Sequence, residues 1–137
     1  MRTFKRPLVI DNGSGYSKIG FAGEDSPRSV FPTLLGYLKS PTPMSNVGHS
    51  DHEYYVGEEV QLLQSVLKVV YPLKRSILTD WGAMEKIWHY IFYTELHVDP
   101  SEHPVLLTES PLIRTQHHRS RYNQYQYLDI QYCHLRP

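Results

Sequence analysis

The most restrictive feature of this sequence is an amphipathic stretch that leads into a short apolar run. Five apolar side chains recur at spacings of three and four residues: Met84, Ile87, Trp88, Ile91 and Phe92. This spacing predicts a helix from residue 81 to about residue 96, with Thr79 or Asp80 as its N-cap. Residues 105–108 then form a continuous apolar run, typical of a central strand covered on both faces. The combination predicts an α/β fold.

The N-terminal part predicts a small antiparallel meander. An apolar run at residues 8–10 and an alternating run at residues 16–21 flank an Asn12-Gly13 turn. Because Asn-Gly adopts positive φ at little steric cost, we expect a hairpin here. Residues 29–32 predict a third short strand that ends in a proline.

The middle of the chain predicts one loop, one helix and one strand. Residues 37–53 are polar, contain Pro41 and Pro43 and follow neither period, so we predict a mobile surface loop. Residues 57–64 predict a short helix with glutamates in its first turn. Residues 66–71 predict a strand.

Charge is unevenly distributed although the net charge is zero. Residues 7–113 hold seven basic and thirteen acidic groups, whereas residues 114–137 hold four basic groups and one acidic group. Four dispersed arginines do not make a basic patch, so we expect no nucleic-acid partner. Apolar residues from 113 to 137 are too scattered to define an element, and we predict no secondary structure there.

Composition also limits the location of the protein. No window approaches the roughly 18 apolar residues of a membrane span, and no signal peptide follows the basic N-terminus. Cys133 is the single cysteine, so no internal disulfide can form. We therefore expect a protein of the cytoplasm or nucleus that does not enter a membrane.

The turn between the first two predicted strands has the ingredients of a phosphate-binding loop. Gly13 and Gly15 allow close approach of an anion, Ser14 adds a hydroxyl and Lys18 adds positive charge. Asp11 would repel phosphate unless a hydrated Mg²⁺ lies between them. On the residues alone, an ordinary tight turn is the favoured explanation of the pattern, and no Walker motif is present.

Two other kinds of chemistry lack support. His117, His118, Cys133 and His134 match no standard zinc spacing, so we expect no metal site there. No Gly-x-Ser-x-Gly elbow occurs, so nothing predicts a hydrolase nucleophile.

Several ordered blocks of this sequence resemble the start of actin. They are Asp11-Asn12-Gly13-Ser14-Gly15, Gly20-Phe21-Ala22-Gly23, Val30-Phe31-Pro32, Tyr55-Val56-Gly57-Glu58-Glu59, Met84-Glu85-Lys86-Ile87-Trp88-His89 and Glu102-His103-Pro104-Val105-Leu106-Leu107-Thr108-Glu109. The resemblance covers residues 7–112 and is closer to actins and actin-related proteins than to the wider Hsp70 and sugar-kinase superfamily.

This resemblance implies an incomplete actin-like fold, α/β and ribonuclease-H-like, of which the chain holds the first lobe only. Actins bind ATP with Mg²⁺ in a cleft between two lobes. By resemblance, Asp11 would help to hold Mg²⁺ through water. Gly13, Ser14, Gly15 and Lys18 would face the phosphates.

The resemblance also implies a division of the chain. Residues 7–112 would form a partial actin-like domain, with residues 37–72 as its outer subdomain and flexible loop. Pro41 and Pro43 depart from the actin pattern and argue against the actin-type contact between subunits. Arg75 stands where actins usually carry a methylated histidine, so we expect no such modification.

The largest departure is length, because this sequence is less than half as long as an actin. It contains no Asp-Ser-Gly-Asp-Gly second phosphate loop and lacks the adenosine site. We expect weak or absent ATP binding and no hydrolysis by this chain alone. Residues 113–137 resemble the product of a frame change or alternative exon, and a true divergent terminus stays open.

The leading interpretation is therefore a truncated actin-like cytoskeletal protein with the first phosphate loop. The alternative is a non-catalytic module that binds actin, an actin-related protein, a chaperone or a chromatin-type complex. In actin-like folds the apolar stripe of the helix packs against later parts of the chain. We therefore expect exposure of that stripe, marginal stability, aggregation and no filaments.

Overall fold

The computed structural model describes residues 5–39, 54–109 and 130–134. Within them the elements follow in the order β1 (Leu8–Asn12), β2 (Tyr16–Phe21), β3 (Ser29–Pro32), β4 (Leu35–Leu38), β5 (Tyr55–Val56), α1 (Glu58–Leu62), β6 (Leu67–Val70), β7 (Leu73–Lys74), β8 (Ile77–Leu78), α2 (Trp81–Tyr90), β9 (Val105–Glu109) and β10 (Ile130–His134). Among the described helices, none has the length and apolar character needed to cross a membrane.

The main sheet has five strands in the order β10-β9-β1-β2-β3. β1 pairs antiparallel with β2 and parallel with β9, and β2 pairs antiparallel with β3. The predicted meander is confirmed, and the pairing places the start of the chain beside the apolar run near residue 105. This mixed α/β arrangement fits the predicted incomplete actin-like fold.

The reason given for the β1–β2 turn was wrong. Of the described glycines, Gly23 and Gly57 have positive φ, and Gly13 does not. Gly13 is needed for space, because a Cβ built on it would lie 2.8 Å from the carbonyl oxygen of Tyr16.

Helix α2 carries the predicted apolar stripe into the core. Asp80 is the N-cap, and its Oδ1 accepts a hydrogen bond from the Ala83 N–H at 3.0 Å. After Tyr90 the helix widens into a π-helical turn (Ile91–Glu95). Every residue of the stripe is at most 2% exposed: Met84, Ile87, Trp88, Ile91 and Phe92. The expectation of an exposed stripe is therefore wrong, since strands of this same chain cover it.

In the part of the chain that the structure describes, one face of the sheet is fully covered and the other is covered in part. Val105 and Leu107 of β9 are buried in the core that contains α2, while Leu106 and Thr108 on the opposite face are half-buried. The predicted coverage on both faces was wrong for this strand within the described structure.

The end of the chain differs from the sequence prediction. Ile130–His134 forms β10, which pairs parallel with β9, although we predicted no secondary structure between residues 113 and 137. β10 pairs with β9 through backbone hydrogen bonds, which do not require a regular alternation of side chains. The sequence of residues 130–134 therefore carries no periodicity that would predict a strand. The rest of the tail lies outside the described residues.

A second, three-stranded sheet has the order β5-β4-β6 and contacts α1. Leu34, Val60 and Leu67 form its small core. The predicted short helix and the strand near residue 67 are confirmed. The predicted loop begins later than residue 37, because Tyr37 lies in β4, and its residues 40–53 lie outside the described structure.

Besides β10, strands β4 and β5 and the β7–β8 hairpin were not predicted from the sequence. Leu73 pairs with Leu78 and Lys74 pairs with Ile77. The turn residues Arg75 and Ser76 have φ values of 51° and 62°, which are left-handed and rare outside glycine.

Candidate functional site

The β1–β2 turn is held by backbone hydrogen bonds at both of its ends. The N–H of Gly13 donates to the carbonyl oxygen of Tyr16 at 3.0 Å. The carbonyl oxygen of Gly15 accepts from the N–H of Thr33 at 3.0 Å. The Gly13 amide is therefore occupied inside the turn, and its place in the predicted site is to leave room rather than to donate.

Ser14 lies at the tip of this turn and contacts the β7–β8 hairpin. Its Oγ accepts a hydrogen bond from the backbone N–H of Ser76 at 2.8 Å. The hydroxyl hydrogen remains available for donation, because a serine hydroxyl can donate and accept at once. Within the described part of the chain, the amides of Ser14 and Gly15 make no backbone hydrogen bond. The tip thus offers one hydroxyl and two amide donors to an anion.

Asp11 and Lys18 are directly opposite each other on β1 and β2. Lys18 Nζ lies 3.3 Å from Asp11 Oδ2, and the two side chains are 50% and 42% exposed. Thr108 donates from Oγ1 to Asp11 Oδ1 at 2.7 Å. An exposed ion pair of this kind is weak, so the Lys18 ammonium can turn to a stronger anion without a large loss.

Behind the turn lies a buried hydroxyl network that sequence reasoning missed. Ser17 is fully buried, and its Oγ donates to Asn12 Oδ1 at 3.1 Å. It also shares a hydrogen bond with Thr33 Oγ1 at 2.9 Å. The sequence does carry a signal for Ser17, since it alternates in register with the inward-facing Ile19. The network fixes the base of the turn, because a buried hydroxyl is costly without partners.

A groove of about 320 Å³ extends from Asp11 and Lys18 along the uncovered face of the sheet. It ends at the turn that contains Glu24. The Arg28 guanidinium bonds the Glu24 carboxylate at 2.7 Å, and this contact lowers the pKa of Glu24. The Glu24 carboxylate in the groove wall is therefore paired with its neighbour.

A second pocket of about 300 Å³ lies between β3, β5 and the π-helical turn. Tyr90 donates to Glu95 Oε1 at 2.6 Å, and burial together with this bond raises the pKa of Tyr90. The phenol thus stays protonated at neutral pH and joins α2 to the π-helical turn.

The described residues contain no group of three or more His, Cys, Asp or Glu side chains placed to hold a metal ion. Asp11 is the predicted metal residue, and its carboxylate keeps lone pairs beyond the two bonds it accepts. Magnesium commonly keeps several waters and is held by one or two carboxylates plus phosphate oxygens. The residues present fit a hydrated magnesium ion that arrives with a polyphosphate.

Comparison with known families gives an independent result. The family described as Actin matches residues 4–126 of the 137-residue chain. The match includes every predicted site residue and extends past residue 112, where we expected the resemblance to end.

Proposed function

The chain belongs to the actin family, and on that premise we propose that its β1–β2 turn is the first phosphate-binding loop of a site for ATP with Mg²⁺. The observation that carries this proposal is the donor set at the turn: the Ser14 hydroxyl and the amides of Ser14 and Gly15. A Cβ at Gly13 would fill the turn that holds these donors. The site residues Asp11 and Lys18 lie at its base.

Each residue has a distinct task in this proposal. Ser14 and the loop amides donate hydrogen bonds to phosphate oxygens, and Lys18 supplies positive charge. Asp11 accepts hydrogen bonds from water around the metal, and Thr108 holds that carboxylate in orientation through its 2.7 Å bond. When bound, Mg²⁺ neutralises phosphate charge.

We expect the binding to be weak and the chain to lack steady ATP hydrolysis on its own. Phosphoryl transfer needs metal, phosphates and attacking water to be positioned together. The sequence contains no Asp-Ser-Gly-Asp-Gly loop that would complete such an arrangement. A cytoskeletal setting follows from family membership, and we propose a cytoplasmic location with a nuclear pool as the alternative.

Calorimetric titration of the full chain with ATP tests this function. Binding should require Mg²⁺, and Ser14→Ala and Asp11→Ala should each weaken it about tenfold, because each removes a contact to a charged group. Ser65→Ala and Asp25→Ala are matched controls, since both side chains are exposed and outside the turn. Equal losses in the controls would contradict the site. Micromolar affinity, or phosphate release that Asp11→Ala abolishes, would contradict weak, non-catalytic binding.

A second candidate function is a non-catalytic interaction module. It is favoured by four exposed apolar side chains, here called the leucine patch: Leu38, Leu62, Leu63 and Val66. Leu62 is 82% exposed, and it is the grouping of exposed apolar side chains that marks an interaction surface. Actin itself is the partner we propose, because this chain shares its family.

Binding to purified actin in the absence of ATP tests the second candidate. Leu62→Gln should reduce co-sedimentation with actin filaments, whereas Gln61→Ala on the same helix should not. Co-sedimentation of the wild-type chain with actin filaments, together with failure of the chain to bind ATP, would favour the interaction module. The reverse result would favour the nucleotide site.

A further inference from the structure

Arg75 lies at the apex of the β7–β8 hairpin, next to the phosphate-loop tip. The neighbouring Ser76 N–H donates to Ser14 Oγ at 2.8 Å. The Cα of Arg75 is two covalent bonds, roughly 2.4 Å, from that nitrogen. It therefore lies within about 5 Å of the Ser14 hydroxyl by the same standard geometry. An extended arginine side chain is longer than this distance.

The backbone at this apex is fixed in a rare conformation. Arg75 and Ser76 are consecutive non-glycine residues with φ of 51° and 62°. The buried Leu73 and Leu78 hold the hairpin in register behind them. Strained backbone of this kind persists where the surroundings enforce it, and it is common at ligand-binding sites.

The charge of Arg75 is not neutralised by a neighbour. Arg75 is exposed, and within residues 5–39, 54–109 and 130–134 no acidic side chain forms an ion pair with it. Lys18, the other cation beside the loop, is already paired with Asp11. A polyphosphate at the loop tip would thus meet in Arg75 a positive charge that no described acidic side chain pairs.

We propose that Arg75 binds the outermost phosphate of the nucleotide and makes the site prefer longer polyphosphates. The inference rests on the proposed function and adds a residue to that site. Asp11 lies three residues before Ser14, and Lys18, which faces it, lies four residues after Ser14, a path of up to about 13 Å of extended chain. We expect a triphosphate to contact both Lys18 and Arg75, and a single phosphate to contact one of them. The planar guanidinium suits two oxygens of a terminal phosphate.

Titration of the full chain with Mg²⁺ and inorganic tripolyphosphate, pyrophosphate or orthophosphate, followed by ³¹P NMR, tests this role. Arg75→Asn is the main variant, because asparagine tolerates the left-handed backbone. We expect it to weaken tripolyphosphate about tenfold and orthophosphate by less than about twofold, since only the longer anion spans to the hairpin. Arg75→Lys should weaken tripolyphosphate binding less than Arg75→Asn does. Lysine keeps the positive charge but lacks the planar guanidinium that can bond two phosphate oxygens at once.

Lys74→Gln is the matched control, since it removes one charge from the same hairpin outside the turn. Equal loss of tripolyphosphate binding in Lys74→Gln and Arg75→Asn would overturn the inference in favour of a general positive field. Binding that depends on Ser14 and ignores Arg75 would overturn it and leave the proposed function intact. No binding of any of these anions, or of ATP, to the wild-type chain would overturn both. Unchanged far-ultraviolet circular dichroism shows that a variant has folded.

Discussion

Gly13 and Gly15 lie two residues apart in one turn and are constrained differently. A methyl group on Gly13 would meet the backbone oxygen of Tyr16, which cannot move without disrupting the turn. A methyl group on Gly15 would meet nothing within 4 Å. Substitution by alanine reduces the flexibility of the unfolded chain at both positions, but it causes a steric clash in the folded chain only at Gly13. Comparing the two substitutions therefore isolates the effect of the clash.

Gly13→Ala should lower the free energy of unfolding by about 1–3 kcal/mol, the usual cost of forcing an extra carbon into packed surroundings. Gly15→Ala should change it by no more than about 1 kcal/mol, since its main effect is on the unfolded chain. Urea denaturation of the two variants and the wild type measures both values. Equal destabilisation would show that the close contact at Gly13 does not limit the turn.

At the residue scale, local sequence predicted only part of the site. The pairing of Asp11 with Lys18 follows from a hairpin centred on the glycines, since the register then sets them opposite. The bond from Thr108 joins residues 97 positions apart, so no local pattern could reveal it. The contact of Ser76 with Ser14 depends on a hairpin too short to have a detectable period.

Among the elements, α2 was the most predictable because its stripe spans more than two turns. Its Asp80 cap was confirmed, and its apolar stripe is buried rather than exposed as expected. The π-helical turn that follows was not predicted, because the Leu96 N–H to Ile91 carbonyl bond of 2.9 Å reflects tertiary packing. The prediction that both faces of β9 are covered was also wrong. A continuous run of apolar residues does not indicate on which face of a strand a neighbouring layer packs.

Ile87→Val should cost about 0.5–1.5 kcal/mol of unfolding free energy, because it removes one methylene from a fully buried position. Both residues are β-branched, so helix propensity hardly changes. His89→Ala on the exposed face of α2 should change stability by no more than about 0.5 kcal/mol. Thermal or urea unfolding measures the difference. A neutral Ile87→Val would mean that α2 does not pack on the sheet.

In the whole molecule, α2 covers one face of the main sheet and the described residues leave the other face partly open. Tyr16 and Val30 are 54% and 50% exposed on that open face. Val9 and Leu106 are half-buried beside them. We therefore expect self-association, where it occurs, through the open sheet face, because the helix stripe is buried while part of the sheet is not.

Val30→Lys should reduce concentration-dependent association, because it places a charge on the open face that would be buried by self-contact. Light scattering across a concentration series measures this effect. Val66→Lys adds the same charge to the leucine patch and serves as the control for a general gain in solubility. Identical behaviour of the two variants would argue against the sheet face as the site of association.

The parallel pairing of β1 with β9 has a consequence for synthesis of the chain. At roughly 5–20 residues per second, Thr108 leaves the ribosome about 5–20 s after Asp11. Until α2 and β9 have emerged, strands β1 to β3 lack the helix that packs on them and the parallel neighbour of β1. Leu8, Ile10 and Ile19, which end fully buried, are then open to water. A chaperone would therefore find more exposed apolar surface on the nascent chain than on the folded protein.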